Sequence, residues 1–206
     1  RSHKARIFTR NEKQKNELWF SALGEVRGGN NGAGEESFPG FLDDTISDIQ
    51  NFVDMPNQTS ELSAYESWSN VLWFFTKQEG FILPGEGGLL DDTSLRDFWP
   101  KKAFRVGCAG PHTICGTPYG LAWFTPDRQL YLFAGGGGDD LTANLIDISF
   151  EQQILFARIP GQNLDRAALR YSPAYNALVV RFADYGSTNH LLFYSFDIQD
   201  SQSGIN

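Results

Sequence analysis

Four aspartates, Asp127, Asp139, Asp140 and Asp184, come closest to chemistry by type and setting in this 206-residue chain. Each falls at an expected turn or strand end. Glycoside cleavage needs two carboxylates converging on one sugar, and these are the candidates. Turn aspartates also serve local backbone hydrogen bonding, which is their commoner use. Asp147 together with the run GGGGDD (135–140) offers hard oxygen ligands for calcium, but the spacing matches no calcium loop. His3, His112 and His190 have no partners at ligand spacing and read as surface or turn residues. Cys108 and Cys115, the only cysteines, have six residues between them, His112 among these, a spacing that fits no zinc site. They read as free thiols.

Other catalytic signatures are missing from the sequence. The turn segments TPDRQ, TKQEG and ADYGSTNH lack the Ser-x-Asp-x-Gly-x-Thr-Trp box of sialidase-type enzymes. No Gly-x-Ser-x-Gly elbow occurs. The glycine clusters at 28–34 and 135–138 lack the Lys-Ser/Thr and the strand–helix setting of a phosphate loop. No residue is therefore assigned as catalytic, cofactor-binding or metal-binding, and no cofactor is expected. Trp68, Trp99 and Tyr185 are the aromatics placed where a sugar platform would need them.

Composition sets the remaining bounds. Hydrophobic residues make up 41% and charged residues 20%, as in a globular protein, and 17 Phe, 7 Tyr and 5 Trp supply a large core. Seventeen Lys and Arg against 25 Asp and Glu give a net charge of −8, with no basic block to mark a nucleic-acid footprint. No apolar run reaches membrane-spanning length. The chain opens on RSHKARIF without Met, which reads as a processed piece or fragment.

The elements that would carry these residues repeat. In GLAWFTPDRQLYLFAG (120–135), two unbroken apolar runs flank a Pro-Asp turn, which implies a hairpin covered on both faces. VLWFFTKQEGFILPG (71–85), ELWFSALG (17–24) and ALVVRFADYGSTNHLLFYSFDI (177–198) share its register. Their aligned phenylalanines, Phe20, Phe75, Phe124 and Phe182, are 55, 49 and 58 residues apart. A mixed polar and apolar strand precedes each: ARIFTR (5–10), LSAYESW (62–68), HTICGTPY (112–119) and RAALRYSP (166–173). Strand repeats of this size predict propeller blades. The expected fold is all-β, a β-propeller or propeller arc of antiparallel blades. Residues 1–206 form one propeller-like domain, with units near 5–24, 62–85, 112–135 and 166–198 and a long loop at 24–51. Hairpins are expected at 5–10/18–22, 71–84, 120–134 and 177–198. Trp19, Leu72, Phe75, Leu121, Trp123, Phe124, Leu132, Val179, Phe182 and Phe193 form the expected core. One linking helix is expected in SFEQQILFARIP (149–160). Ser149 and Gln152 would make a capping box, Phe150, Ile154 and Ala157 would form the buried face, and Pro160 would end it.

The segments RIFTR…LWFS, NFVDMPNQTSELSAYESWSNVLWFFTKQEGFILPG and VGCAGPHTICGTPYGLAWFTPDRQLYLFAG resemble, in order, the propeller region of bacteriophage tail structural proteins, the nozzle or tail tubular type of short-tailed phages. The likeness runs over about residues 5–198. Its most specific part is 106–135, with His112 at a basic place and Thr113 at a hydroxyl place; the four-glycine run and the two aspartates after it depart from the pattern. The resemblance implies a non-enzymatic virion component, made in the host cytoplasm and placed in the phage tail. Its partners would be further copies of itself and other tail subunits in a ring, with DNA passing unbound and no membrane span. The alternative is a carbohydrate-binding or carbohydrate-cleaving propeller at a cell surface. Roughly four unequal units also lead to the expectation that other segments complete the ring, and that the isolated chain leaves aromatic surface in water.

Overall fold

Apolar runs and turn chemistry together decide where the strands lie. The computed structural model describes residues 2–3, 6–10, 17–20, 52–54, 61–83, 100–135, 144–149, 152–186 and 188–196. Among these the chain is all-β with little helix, and its strands fall into four sheets, each a meander in chain order. The first sheet holds β1 (Ser2–His3), β2 (Arg6–Arg10), β3 (Glu17–Phe20) and β4 (Phe52–Asp54). The second holds β5 (Ala64–Trp68), β6 (Val71–Phe75), β7 (Gly80–Leu83) and β8 (Lys101–Phe104). The third runs β9 (Ile114–Thr117), β10 (Gly120–Phe124), β11 (Leu130–Phe133) and β12 (Leu145–Asp147). The last has three strands, β13 (Ala168–Ser172), β14 (Ala177–Ala183) and β15 (Asn189–Ser195).

Of the hairpins expected at 71–84, 120–134 and 177–198, the strand pairs β6–β7, β10–β11 and β14–β15 form, and β2 and β3 pair antiparallel. Phe75, Phe124 and Phe182 hold equivalent places near the ends of β6, β10 and β14. Turn residues explain the tight joins. Ser69 and Asn70 both take positive φ between β5 and β6, the demand of a two-residue turn that follows strand twist. In the β10–β11 turn Pro126 supplies the fixed φ, Arg128 takes φ +64°, and the Arg128 N–H donates to the Thr125 carbonyl at 3.1 Å.

The chain forms two compact units, Arg1–Thr76 with Gly80–Ala103 and Lys77–Glu79 with Phe104–Asn206. In the first, Leu18 of β3 shares a core with Leu62, Leu72, Phe74, Phe81 and Leu83. Phe74 and Phe81 stack at 5.5 Å across the β6–β7 pair. In the second unit, one core joins Ala122, Phe124, Leu130 and Leu132 of the third sheet to Leu169, Leu178, Val180 and Phe182 of the last. Phe156 plugs it, edge-on to Phe124 at 5.0 Å and to Phe182 at 5.8 Å.

The opposite face of β10 is buried too. Trp123 lies 5.1 Å from Phe104 and shares its face with Leu121 and Phe133. All five residues of β10 are buried, which is why the sequence there does not alternate. Each such aromatic contributes on the order of 1.5–3 kcal/mol by leaving water.

Three expectations need correction. Val179 is half-buried and Phe193 is 53% exposed, because β14 and β15 bury the other face: Leu178, Val180, Phe182, His190, Leu192 and Tyr194 point inward. The helix is one turn, Gln153–Phe156, capped at Gln152 without a side-chain bond. Its phase is set by Phe156 and Ile159, which are buried, while Ile154 is 79% exposed and Ala157 is exposed. Ser149 makes no capping box; its hydroxyl donates to Asp147 Oδ1. Phe150, Trp19's side chain and the loop 24–51 lie outside the described residues.

Candidate functional site

The described residues singled out for chemistry are distributed over several turns. Asp127 sits in the β10–β11 turn. Asp147, at the end of β12, accepts the Ser149 N–H at 2.9 Å and Gln129 Nε2 at 3.4 Å. Tyr131 pairs with Asp147 across the β11–β12 ladder, and its hydroxyl donates to Gln129 Oε1 at 3.1 Å. Burial first, then the charges of Asp147 and Asp127, push the Tyr131 phenol up from its ordinary value. That makes a surface chain of polar groups in which the Asp147 carboxylate works as a local acceptor. Asp139, Asp140 and Trp99 lie outside the described residues. Among the described residues no group of three or more His, Cys, Asp or Glu is placed to hold a metal ion.

Asp184 and His190 form a pair that the sequence did not connect. Asp184 Oδ2 lies 3.0 Å from His190 Nε2 across the mouth of the β14–β15 hairpin, and the Asp184 Oδ1 accepts the Thr188 N–H at 3.0 Å. The imidazole stacks on Phe182, its ladder partner, at 5.1 Å. The hydrogen bond from His190, reinforced by the Thr188 amide, holds the Asp184 carboxyl below the usual carboxylate range. Tyr185 beside them is exposed. A hydrogen-bonded carboxylate, an imidazole and an aromatic thus share one turn.

The motif at 106–114 folds into a buried knot over the end of β10. Gly110-Pro111-His112-Thr113 is a turn closed by the Thr113 N–H to the Gly110 carbonyl at 3.1 Å. The Thr113 hydroxyl donates to the same carbonyl at 2.8 Å and accepts the Gly110 N–H at 2.8 Å. The Ala109 N–H donates to Phe124 O and the Phe124 N–H to Thr113 O, both at 2.8 Å, so the knot continues the sheet. Cys108 Sγ lies 3.1 Å from Thr113 Oγ1, and burial pushes this thiol up to about 11. Gly107 has no room for a side chain: a Cβ there would stand 2.1 Å from the Lys77 carbonyl carbon. The His112 side chain is exposed, while its carbonyl accepts the Leu169 N–H at 2.8 Å and joins the third sheet to the last.

Two tyrosines add a second join. Tyr119 and Tyr171 both donate to Asn176 Oδ1, at 2.9 and 2.8 Å, and Asn176 takes φ +42°. Cys108 and Cys115 are free thiols, the first buried and the second half-exposed. Among the described residues no helix is long and apolar enough to cross a membrane. Thr113, Asn176 and the Asp184–His190 pair were not visible as sites in the sequence, because each depends on contacts made through the fold. Neither a family model nor a curated protein matches the chain.

Proposed function

We propose that the chain is a non-enzymatic structural component of a bacteriophage tail, its sheets serving as blades of a propeller or propeller arc in a ring around the DNA conduit. The observation that carries this reading is the repeated meander. In chain order, antiparallel sheets follow one another, and within each unit two sheets share one aromatic and aliphatic core. Stacked sheets of this kind make a stiff wall with few free edges. The described candidate carboxylates Asp147 and Asp184 are held by local donors, as a framework uses them. The net charge of −8 suits a conduit wall, since an acidic surface does not grip phosphate.

The test is biochemical. The protein should co-purify with phage particles in stoichiometric amounts. Alanine variants at Asp127, Asp139, Asp140 and Asp184 should leave any polysaccharide-cleaving activity of those particles unchanged. Loss of cleavage in a folded variant would replace this reading with the carbohydrate-active one.

A further inference from the structure

We infer that the outward face of the last sheet is a docking site for an acidic polypeptide segment of a partner protein, one that carries apolar side chains beside its carboxylates. The inference goes beyond the tail reading and does not depend on it. In β13 and β14 the residues Leu169, Leu178, Val180 and Phe182 enter the core. By strand alternation and pairing, Arg170, Val179, Arg181, Leu191 and Phe193 form the opposite face. Of the seven large hydrophobic side chains exposed among the described residues, three gather here: Leu191 at 63%, Phe193 at 53% and Tyr175 at 68%. Tyr175 stands edge-on to Phe193 at 5.7 Å. Apolar side chains grouped on an open face mark an interaction site.

The charge on this face selects the partner. β13, β14 and β15 hold no Asp or Glu, and their permanent charges are Arg170 and Arg181, both exposed. The whole chain carries a net charge of −8, so this face is a local positive site on an acidic molecule. Arg170 Nη1 donates to the Leu169 carbonyl at 2.9 Å, which steadies the guanidinium and leaves its other N–H groups for a carboxylate. Complementary charge then favours an acidic ligand over a basic one. Nucleic acid fits less well. Polyphosphate is held by rows of cations, and two arginines on a chain of −8 make no such row. An acidic peptide brings few charges, and its apolar side chains can cover Leu191 and Phe193.

The spacing fits an extended segment. Arg170 pairs with Val179 in the ladder and Ala168 pairs with Arg181, so the two arginines are diagonal neighbours. Such neighbours stand about 7–8 Å apart. Alternate residues of an extended chain, which point the same way, are about 6.5–7 Å apart. Carboxylates at positions i and i+2 of one segment can therefore meet both guanidinium groups. Leu191 lies directly opposite Arg181 and Phe193 opposite Val179, so apolar residues flanking the second carboxylate can cover them. Arginine beside exposed aromatics is the pairing that anchors protein interfaces.

Fluorescence anisotropy of the full chain with a labelled peptide tests this. The probe is Glu-Ser-Glu-Ser-Leu-Ser-Phe, with a counterpart in which Gln replaces Glu. The acidic probe should bind and the Gln probe should not, and binding should weaken as salt rises. Arg170→Glu or Arg181→Glu should each weaken it about tenfold, the loss of one charge-assisted contact. Arg158→Glu, at an exposed arginine outside the sheet, should change it little. The chain carrying both Arg170→Glu and Arg181→Glu should instead take a Lys-Ser-Lys-Ser-Leu-Ser-Phe probe, which shows the face intact, and Phe193→Ser should weaken both pairings. Failure of the acidic probe to bind, equal binding of the Gln probe, full binding by the double variant or an equal loss in Arg158→Glu would overturn the proposal. Tighter binding of an oligo-dT at the same arginines would overturn it in favour of nucleic acid, and copies of the chain that associate through Phe193 and exclude the probe would do so in favour of a dimer. None of these results bears on whether the chain belongs to a phage particle.

Discussion

Replacing Thr113 by valine removes one hydroxyl and little volume, and it isolates the knot at 106–114. Thr113 is fully buried. Its hydroxyl accepts the Gly110 N–H at 2.8 Å, while the Gly110 carbonyl that it serves keeps a second donor, the Thr113 N–H at 3.1 Å. The loss therefore falls on one buried amide left without its acceptor. An unmet buried donor costs about 1–3 kcal/mol, and the substituted methyl returns little because the site stays closed. The expected destabilisation is about 2 kcal/mol, read by urea unfolding with an unchanged slope. Thr113→Ser keeps the hydroxyl and should recover most of it. Amide exchange at Gly110 should accelerate selectively in the valine variant. The Cys108 thiol should also become less acidic, because the Thr113 hydrogen bond is what most opposes the effect of its burial. A valine variant within about 0.5 kcal/mol of wild type, with Gly110 exchange unchanged, would refute the reasoning.

Other predictions follow from the same contacts. Trp123→Ala should cost about 3–5 kcal/mol in urea unfolding, the range for emptying a large buried site, because both its faces are covered. In the native protein Cys115 should react with thiol reagents and Cys108 should not until unfolding, as mass mapping would show. The Cys108 thiol is pushed up from 9.0 to about 11, so the unfolded chain ionises first; stability should fall between these pH values by on the order of 3 kcal/mol, and Cys108→Ala should flatten that limb. Asp184 has the opposite sign. Its carboxyl is held below 3.8 in the fold, so its contribution is present above that pH and is lost as pH falls through the lower folded value. Asp184→Asn should remove that part of the acid dependence in a pH-resolved melt.

The β architecture was legible because hydrophobic runs and turn residues are local signals. Leu121-Ala122-Trp123-Phe124 cannot bury only one face, and Pro126-Asp127 must turn, so the hairpin followed from sequence alone. The same rule misled at β15. His190-Leu191-Leu192-Phe193-Tyr194 also reads as a continuous run, yet one of its faces is uncovered, and only the neighbours decide which. Helix phase failed for a related reason. A single turn carries too few residues for periodicity to separate Ile154 from Phe156, and the ring contacts with Phe124 and Phe182 choose Phe156. The Asp184–His190 pair spans a hairpin mouth whose register the sequence does not state. Thr113 looked like one hydroxyl in a loose motif; its role arises because Gly110 returns to it in a buried turn.

The most direct test of the account is a cryo-EM map of a phage particle containing this protein. The account predicts symmetric copies in a ring around the tail conduit, with the meander sheets arranged as blades and no bound polysaccharide at Asp127 or Asp184. A particle without density for the chain, or the chain carried as a peripheral enzyme gripping sugar at those aspartates, would contradict it.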